Sequence, residues 1–205
     1  MKKLESTITN TVIVLVGVAL VTGSILAYVN HVTEEPIKLQ AEKTLADGIK
    51  AVMGGVELTV AKEDTVKQTA AGKELTFIIH EAVGKDNKPV GAAVESTTGG
   101  FGGDLKVLVG FDTDGNILGY TILQHSETPG LGAKADKWFQ KDGKGCIIGK
   151  NPATDDLTVK KDNGDIDAIT ASTITSRAFL LAVNQAYQAY KSMPVDAHTG
   201  ASGKH

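Results

Sequence analysis

The chain has 205 residues, 41% of them hydrophobic, and carries 21 Lys and Arg against 24 Asp and Glu for a net charge of −3. That balance leaves no broad basic surface of the kind that binds nucleic acid, so nucleic acid is excluded as a principal partner. The lone cysteine, Cys146, excludes an internal disulfide and an iron–sulfur ligand set, and the chain is long enough for one domain with its own core.

Residues 12–29 contain no charged side chain, and a helix over them reaches ~27 Å at ~1.5 Å per residue, close to the ~30 Å of a bilayer core. A single transmembrane helix is expected there, after a short cytoplasmic N-terminus over residues 1–11. The alternative, a cleaved signal peptide, fits less well. Its apolar region normally runs ~7–15 residues, and Ala27-Tyr28-Val29 is a poor cleavage site. Lys2 and Lys3 before the span, against Glu34 and Glu35 after it, favour an inside N-terminus and a domain on the extracytoplasmic, periplasmic side of the cell (inner) membrane.

Residues 30–192 are read as the domain. Thr33 is expected to cap a helix whose first turn holds Glu34, Glu35 and Pro36. Ile37, Ala41, Leu45, Ile49 and Val52 then recur at helical spacing, so this helix should continue from the anchor, lay its stripe on the domain and end at Gly54-Gly55. Four β-prone segments follow, around residues 75–82, 89–96, 105–112 and 117–125. Asp112-Thr113-Asp114-Gly115-Asn116 joins the last two as a turn rather than a calcium loop, because its glycine and terminal acid are misplaced for the twelve-residue pattern. Gly99-Gly100-Phe101-Gly102-Gly103 lacks the Lys-Ser/Thr of a phosphate loop; Gly102 and Gly103 instead suit a flexible loop that lets the backbone approach a ligand.

A short helix near residues 134–139, a turn at Asp162-Asn163-Gly164-Asp165 and an amphipathic helix from Ser176, with Phe179, Val183, Tyr187 and Tyr190 in register, complete the domain. Residues 193–205 offer nothing to bury and are expected to be a disordered tail. Strands grouped between helices predict an α+β fold with a largely antiparallel sheet.

The chemistry concentrates at the start of the last helix. Thr170, Ser172, Thr173, Thr175 and Ser176 crowd a helix N-terminus, where free N–H groups and the dipole favour an anion and where Arg177 is near. The same hydroxyls could instead simply cap the helix. His125 reads either as a proton-transfer group or as a strand-end histidine bonded to backbone, and Trp138 as core.

Asp167-Ala168-Ile169-Thr170-Ala171-Ser172-Thr173 is similar to the Asp-x-x-Ser/Thr-Gly-Ala-Thr flavinylation motif of the FMN-binding domain family, departing from it at Ala171 and Ser172. Ser126-Glu127-Thr128-Pro129-Gly130-Leu131-Gly132 resembles that family's flavin-site loop without substitution. Physically, Pro129-Gly130 favours a type II turn and Gly132 close passage of the chain past a ring. The resemblance implies FMN joined by its phosphate to Thr173, a flavin transferase that supplies it from FAD, recognition through Asp167, and a ring oriented by Glu127 and Thr128. Asp167 could equally serve as a local turn acceptor.

The order of parts resembles the G-subunit family of Rnf ion-translocating ferredoxin:NAD oxidoreductases, with the related C-subunit family of sodium-pumping NADH:quinone oxidoreductases as the alternative. The implied role is electron relay to other subunits of an Rnf-type complex, with no complete active site on this chain. A flavin-free membrane-anchored binding module is the competing class.

Overall fold

The computed structural model describes residues 8–55, 58–70, 73–86 and 88–192. Lys2, Lys3 and the expected tail lie outside the described residues. The first helix, α1, spans Ile8–Val52 without a break. By length and composition it is the one helix among the described residues able to cross a membrane. Its apolar side chains from Val12 to Val29 are each about half exposed or more. Thr22 and Ser24 donate their hydroxyls to Val18 O and Leu20 O at 2.8 and 2.7 Å, so these polar groups are satisfied within the helix, as a hydrocarbon setting demands.

The cap expected at Thr33 is absent. The helix enters from the apolar span, so Thr33 is already mid-helix and its hydroxyl donates to Val29 O at 2.8 Å. Pro36 lies inside the helix, where its missing N–H costs one ladder bond. The stripe is also shorter than expected, since Ile37 is 63% exposed and burial begins only with Leu45, Ile49 and Val52. The helix ends as its sequence dictates: Gly55 N–H donates to Lys50 O, with φ of 83° at Gly54 and 71° at Gly55.

Two compact units divide between Thr44 and Leu45. In the second, five described strands form an antiparallel sheet in sequential order: β1 (Thr59–Ala70), β2 (Lys73–Val83), β3 (Pro89–Gly99), β4 (Asp104–Asp112) and β5 (Ile117–Gln124). Strand β1 is the one missed in the sequence. Its charged and threonine-rich residues are mostly exposed, suiting an edge that must not attract another chain but hiding the apolar alternation. The β4–β5 hairpin closes on Asp112, whose Oδ1 accepts N–H bonds from Asp114, Gly115 and Asn116 at 3.0, 2.8 and 2.8 Å, which makes this loop a turn.

Helix α2 (Ala135–Trp138) and helix α3 (Thr173–Tyr190) follow. Helix α3 packs Phe179, Val183 and Ala186 on one sheet face against Val94, Val107 and Phe111. The other face receives the end of α1, where Ile49, Val52 and Met53 cluster with Ala82, Ala93 and Leu108. That approach is close because Gly110 and Gly119, paired across β4 and β5, leave no Cβ to meet the Val52 carbonyl.

Strands on that face also carry a partly buried polar cluster centred on Glu95 that periodicity did not reveal. His80 Nε2 and Lys106 Nζ lie 2.9 and 2.5 Å from the two oxygens of Glu95. Burial alone would raise the Glu95 carboxyl, but the His80 and Lys106 contacts outweigh it and hold the group below its ordinary value.

Candidate functional site

The β3–β4 connection and the segment after β5 leave the sheet at the same end, because Lys106 pairs with Gln124. Glu127 joins them. Its buried carboxylate accepts N–H bonds from Phe101 and Gly102 at 2.7 and 3.3 Å through Oε1, and the Thr175 hydroxyl at 2.8 Å through Oε2. One side chain thus laces the glycine loop to the first turn of α3. A Cβ at Gly132 would crowd both Glu127 Oε2 and Thr175 Oγ1, and one at Gly102 would overlap Ser126 O. These two glycines therefore make room for neighbouring protein atoms. Gly130, with φ 77°, completes the expected turn, in which Leu131 N–H donates to Thr128 O at 3.1 Å.

The opposite wall is the start of α3, one turn earlier than Ser176. Ala171 takes φ 59°, a conformation that costs a side chain what it does not cost glycine. Ser172 is the N-cap residue but makes no side-chain capping bond. Ser176 fastens the segment instead, donating to Ser172 O and accepting from Ile169 N–H, both at 2.9 Å. The hydroxyls that crowd this helix start therefore divide. Those of Thr175 and Ser176 are buried and tied to protein, Thr170 is exposed, and Thr173 is half-buried with its oxygen accepting from Lys161 Nζ at 3.2 Å.

Between the walls lies a cleft of about 390 Å³, within the ~300–1,000 Å³ usual for small-molecule sites. Glu127, Thr128, Leu131, Gly132, Ala171, Ser172, Thr173 and Thr175 line it, joined by Phe101 and Ile174, which had not been expected there. Phe101 is 70% exposed and Leu131 41% exposed, so large apolar side chains stand at a pocket that also bears the Thr173 hydroxyl. A planar apolar ring with a phosphate at one end fits that pairing.

Asp167, Thr170, Gly102, Gly103 and Gly130 stand outside the cleft lining, Gly130 facing a neighbouring depression. Asp167 instead binds Lys160 Nζ at 2.9 Å and accepts the Trp138 Nε1–H on its carbonyl at 2.8 Å. Arg177, considered as a phosphate contact, is committed elsewhere: it grips Asp162 with two bonds of 2.7 and 2.6 Å. That grip draws the Asp162 carboxyl down and raises the Arg177 guanidinium. His125 is bonded to backbone, its Nδ1 accepting from Glu127 N–H at 3.2 Å. Lys161 was missed altogether, since it lies twelve residues before Thr173 with no local motif around it.

A family model described as "FMN-binding domain" matches residues 100–188, which takes in the glycine loop, the Glu127 segment and the start of α3. The G subunit of the ion-translocating oxidoreductase complex of Yersinia pestis is 36% identical over 82% of this chain and 83% of its own length. The protein of that name in Vibrio parahaemolyticus is 32% identical over 80% and 81%. The G subunit of the Na(+)-translocating ferredoxin:NAD(+) oxidoreductase complex of Acetobacterium woodii is 32% identical over 88% and 90%. The chain belongs to this G-subunit family. The matches covering 82% and 88% of the chain exceed the 161 residues from Leu45 onward, so they reach into α1 as well as covering sheet-domain residues.

Proposed function

We propose that this chain is a membrane-anchored electron-transfer subunit of an ion-translocating ferredoxin:NAD oxidoreductase complex, carrying FMN as a phosphoester on Thr173. The observation that carries the reading is the position of the Thr173 hydroxyl, half-buried on the wall of an apolar-rimmed cleft and left out of the internal bonds that occupy Thr175 and Ser176. A flavin-free module gives no reason for that arrangement.

When bound, FMN supplies the electron exchange at its ring. The chain's own residues place it. Phe101 and Leu131 offer apolar surface to the ring, Thr128 a hydroxyl at the cleft wall, and Glu127 holds the walls at a fixed separation through Phe101, Gly102 and Thr175. A covalent link keeps the site filled where free flavin is scarce. The partners of this role are a flavin transferase and the neighbouring subunits of the complex, which supply the nicotinamide and iron–sulfur chemistry that this chain lacks. Residues 12–29 form the anchor and residues 30–192 the flavin domain, on the extracytoplasmic side. Protease added to sealed right-side-out spheroplasts should digest it, and protection of the domain there would contradict that side.

The attachment is tested with Thr173→Ala in the full chain, expressed beside a flavin transferase. In-gel flavin fluorescence should vanish while the circular dichroism spectrum is unchanged. Fluorescence retained in that variant would overturn the assignment.

A further inference from the structure

Three consecutive residues of one turn reach the segment that holds Thr173. In the turn Lys160–Asp162, Lys160 Nζ binds Asp167 Oδ2 at 2.9 Å, Lys161 Nζ donates to Thr173 Oγ1 at 3.2 Å, and Asp162 takes both bonds of Arg177. Asn163 at φ 64° ends the turn, and a bridge between Val159 and Ile166 closes its base. The Asp162 side chain is 8% exposed and the Arg177 side chain 26%, so this pair is a sheltered clamp rather than a loose surface contact. It joins the turn to the first two turns of α3 and holds the intervening Lys161 at the Thr173 oxygen. No other cation is bonded to that oxygen among the described residues.

We propose that Lys161 is the phosphate-binding residue of the flavin site, with Asp162 and Arg177 acting on it as positioning residues. This inference rests on the proposed attachment of FMN to Thr173. A phosphate esterified there becomes a diester with one negative charge and two unbridged oxygens, and an ammonium 3.2 Å from the ester oxygen is within reach of them. On transfer from FAD the Thr173 oxygen bonds to the FMN phosphorus and the bond from that phosphorus to the adenylate oxygen breaks. AMP leaves, and the hydroxyl proton passes to a base of the transferase. Lys161 donates hydrogen bonds to the phosphate and takes no proton. Because it is exposed, its replacement removes a charge without opening the core.

The test uses the full chain in detergent with purified flavin transferase and FAD, comparing wild type, Lys161→Met, Lys161→Arg and Arg177→Gln. Covalent flavin is read by mass against time, and the attached phosphate by its phosphorus NMR resonance. Lys161→Met should slow attachment by about tenfold or more, as expected for loss of one charge-assisted bond, and should move the resonance. Lys161→Arg should restore most of the rate, and Arg177→Gln should slow it by a smaller factor. A Met variant loaded at the wild-type rate with an unmoved resonance overturns the role of Lys161 while leaving Thr173 attachment intact. A wild-type chain that takes up no flavin at Thr173 overturns the attachment and this inference with it.

Discussion

The Glu127 segment and the Thr173 segment face each other across one cleft, yet their polar groups are used in opposite ways. Glu127 gives both carboxylate oxygens to the protein, binding Phe101, Gly102 and Thr175. Among the described residues, the Thr173 oxygen accepts a bond only from Lys161, an exposed side chain. The first segment is framework whose chemistry is complete without a ligand. The second holds a hydroxyl on ground shaped by its neighbours, so the two motifs divide into a part that ties the walls together and a part that leaves a hydroxyl at the cleft.

Glu127→Ala should have the largest effect on stability. It frees two N–H groups on an exposed loop and strands the buried Thr175 hydroxyl, and should cost ~1–3 kcal/mol in denaturant unfolding. A loss below ~0.5 kcal/mol would break the contrast, because it would make Glu127 a ligand group rather than framework. Gly132→Ala should cost ~1–3 kcal/mol by forcing Glu127 and Thr175 apart, and should reduce flavin loading with them.

Acid should weaken the framework further. Asp162, Glu95 and Asp112 all have folded values held below their ordinary 3.8, 4.5 and 3.8. Arg177 is the main cause at Asp162; at the other two, hydrogen bonds overcome the opposing effect of burial. A depressed carboxyl contributes stability that is present above its unfolded value and lost as pH falls through the folded one. Thermal melts should therefore be steady near neutrality and fall below about pH 4. Melts that rose on acidification would contradict these contacts.

Ala171→Gly should act in the other direction, stabilising the chain by ~0.5–1 kcal/mol by relieving the side chain at φ 59°. Thr173→Ala should be the smallest, within ~0.5 kcal/mol, because it removes a half-buried hydroxyl with one exposed partner. A large loss there would mean that Thr173 is framework too.

What the sequence disclosed follows the same division. Helix α3 was legible from the helical period of its apolar stripe, and strands β2 to β5 from runs of β-branched and apolar residues, which in β3 and β4 are buried on both faces. Strand β1 was hidden because both its faces are largely polar. The Glu127 and Thr173 segments were legible as motifs, but which protein atoms Glu127 serves is a tertiary fact, set by a loop some twenty-five residues away. Thr33 misled because capping chemistry is local while the helix running through it is continued from the apolar span. Lys161 and the His80–Glu95–Lys106 cluster were invisible because their partners come together only when the chain folds.

The central claim is tested most directly by the intact mass of the full chain, with peptide mapping, after expression beside a flavin transferase. The account predicts a gain equal to FMN less water, confined to the peptide holding Thr173. An unmodified chain beside a competent transferase, or flavin on any other residue, would contradict it.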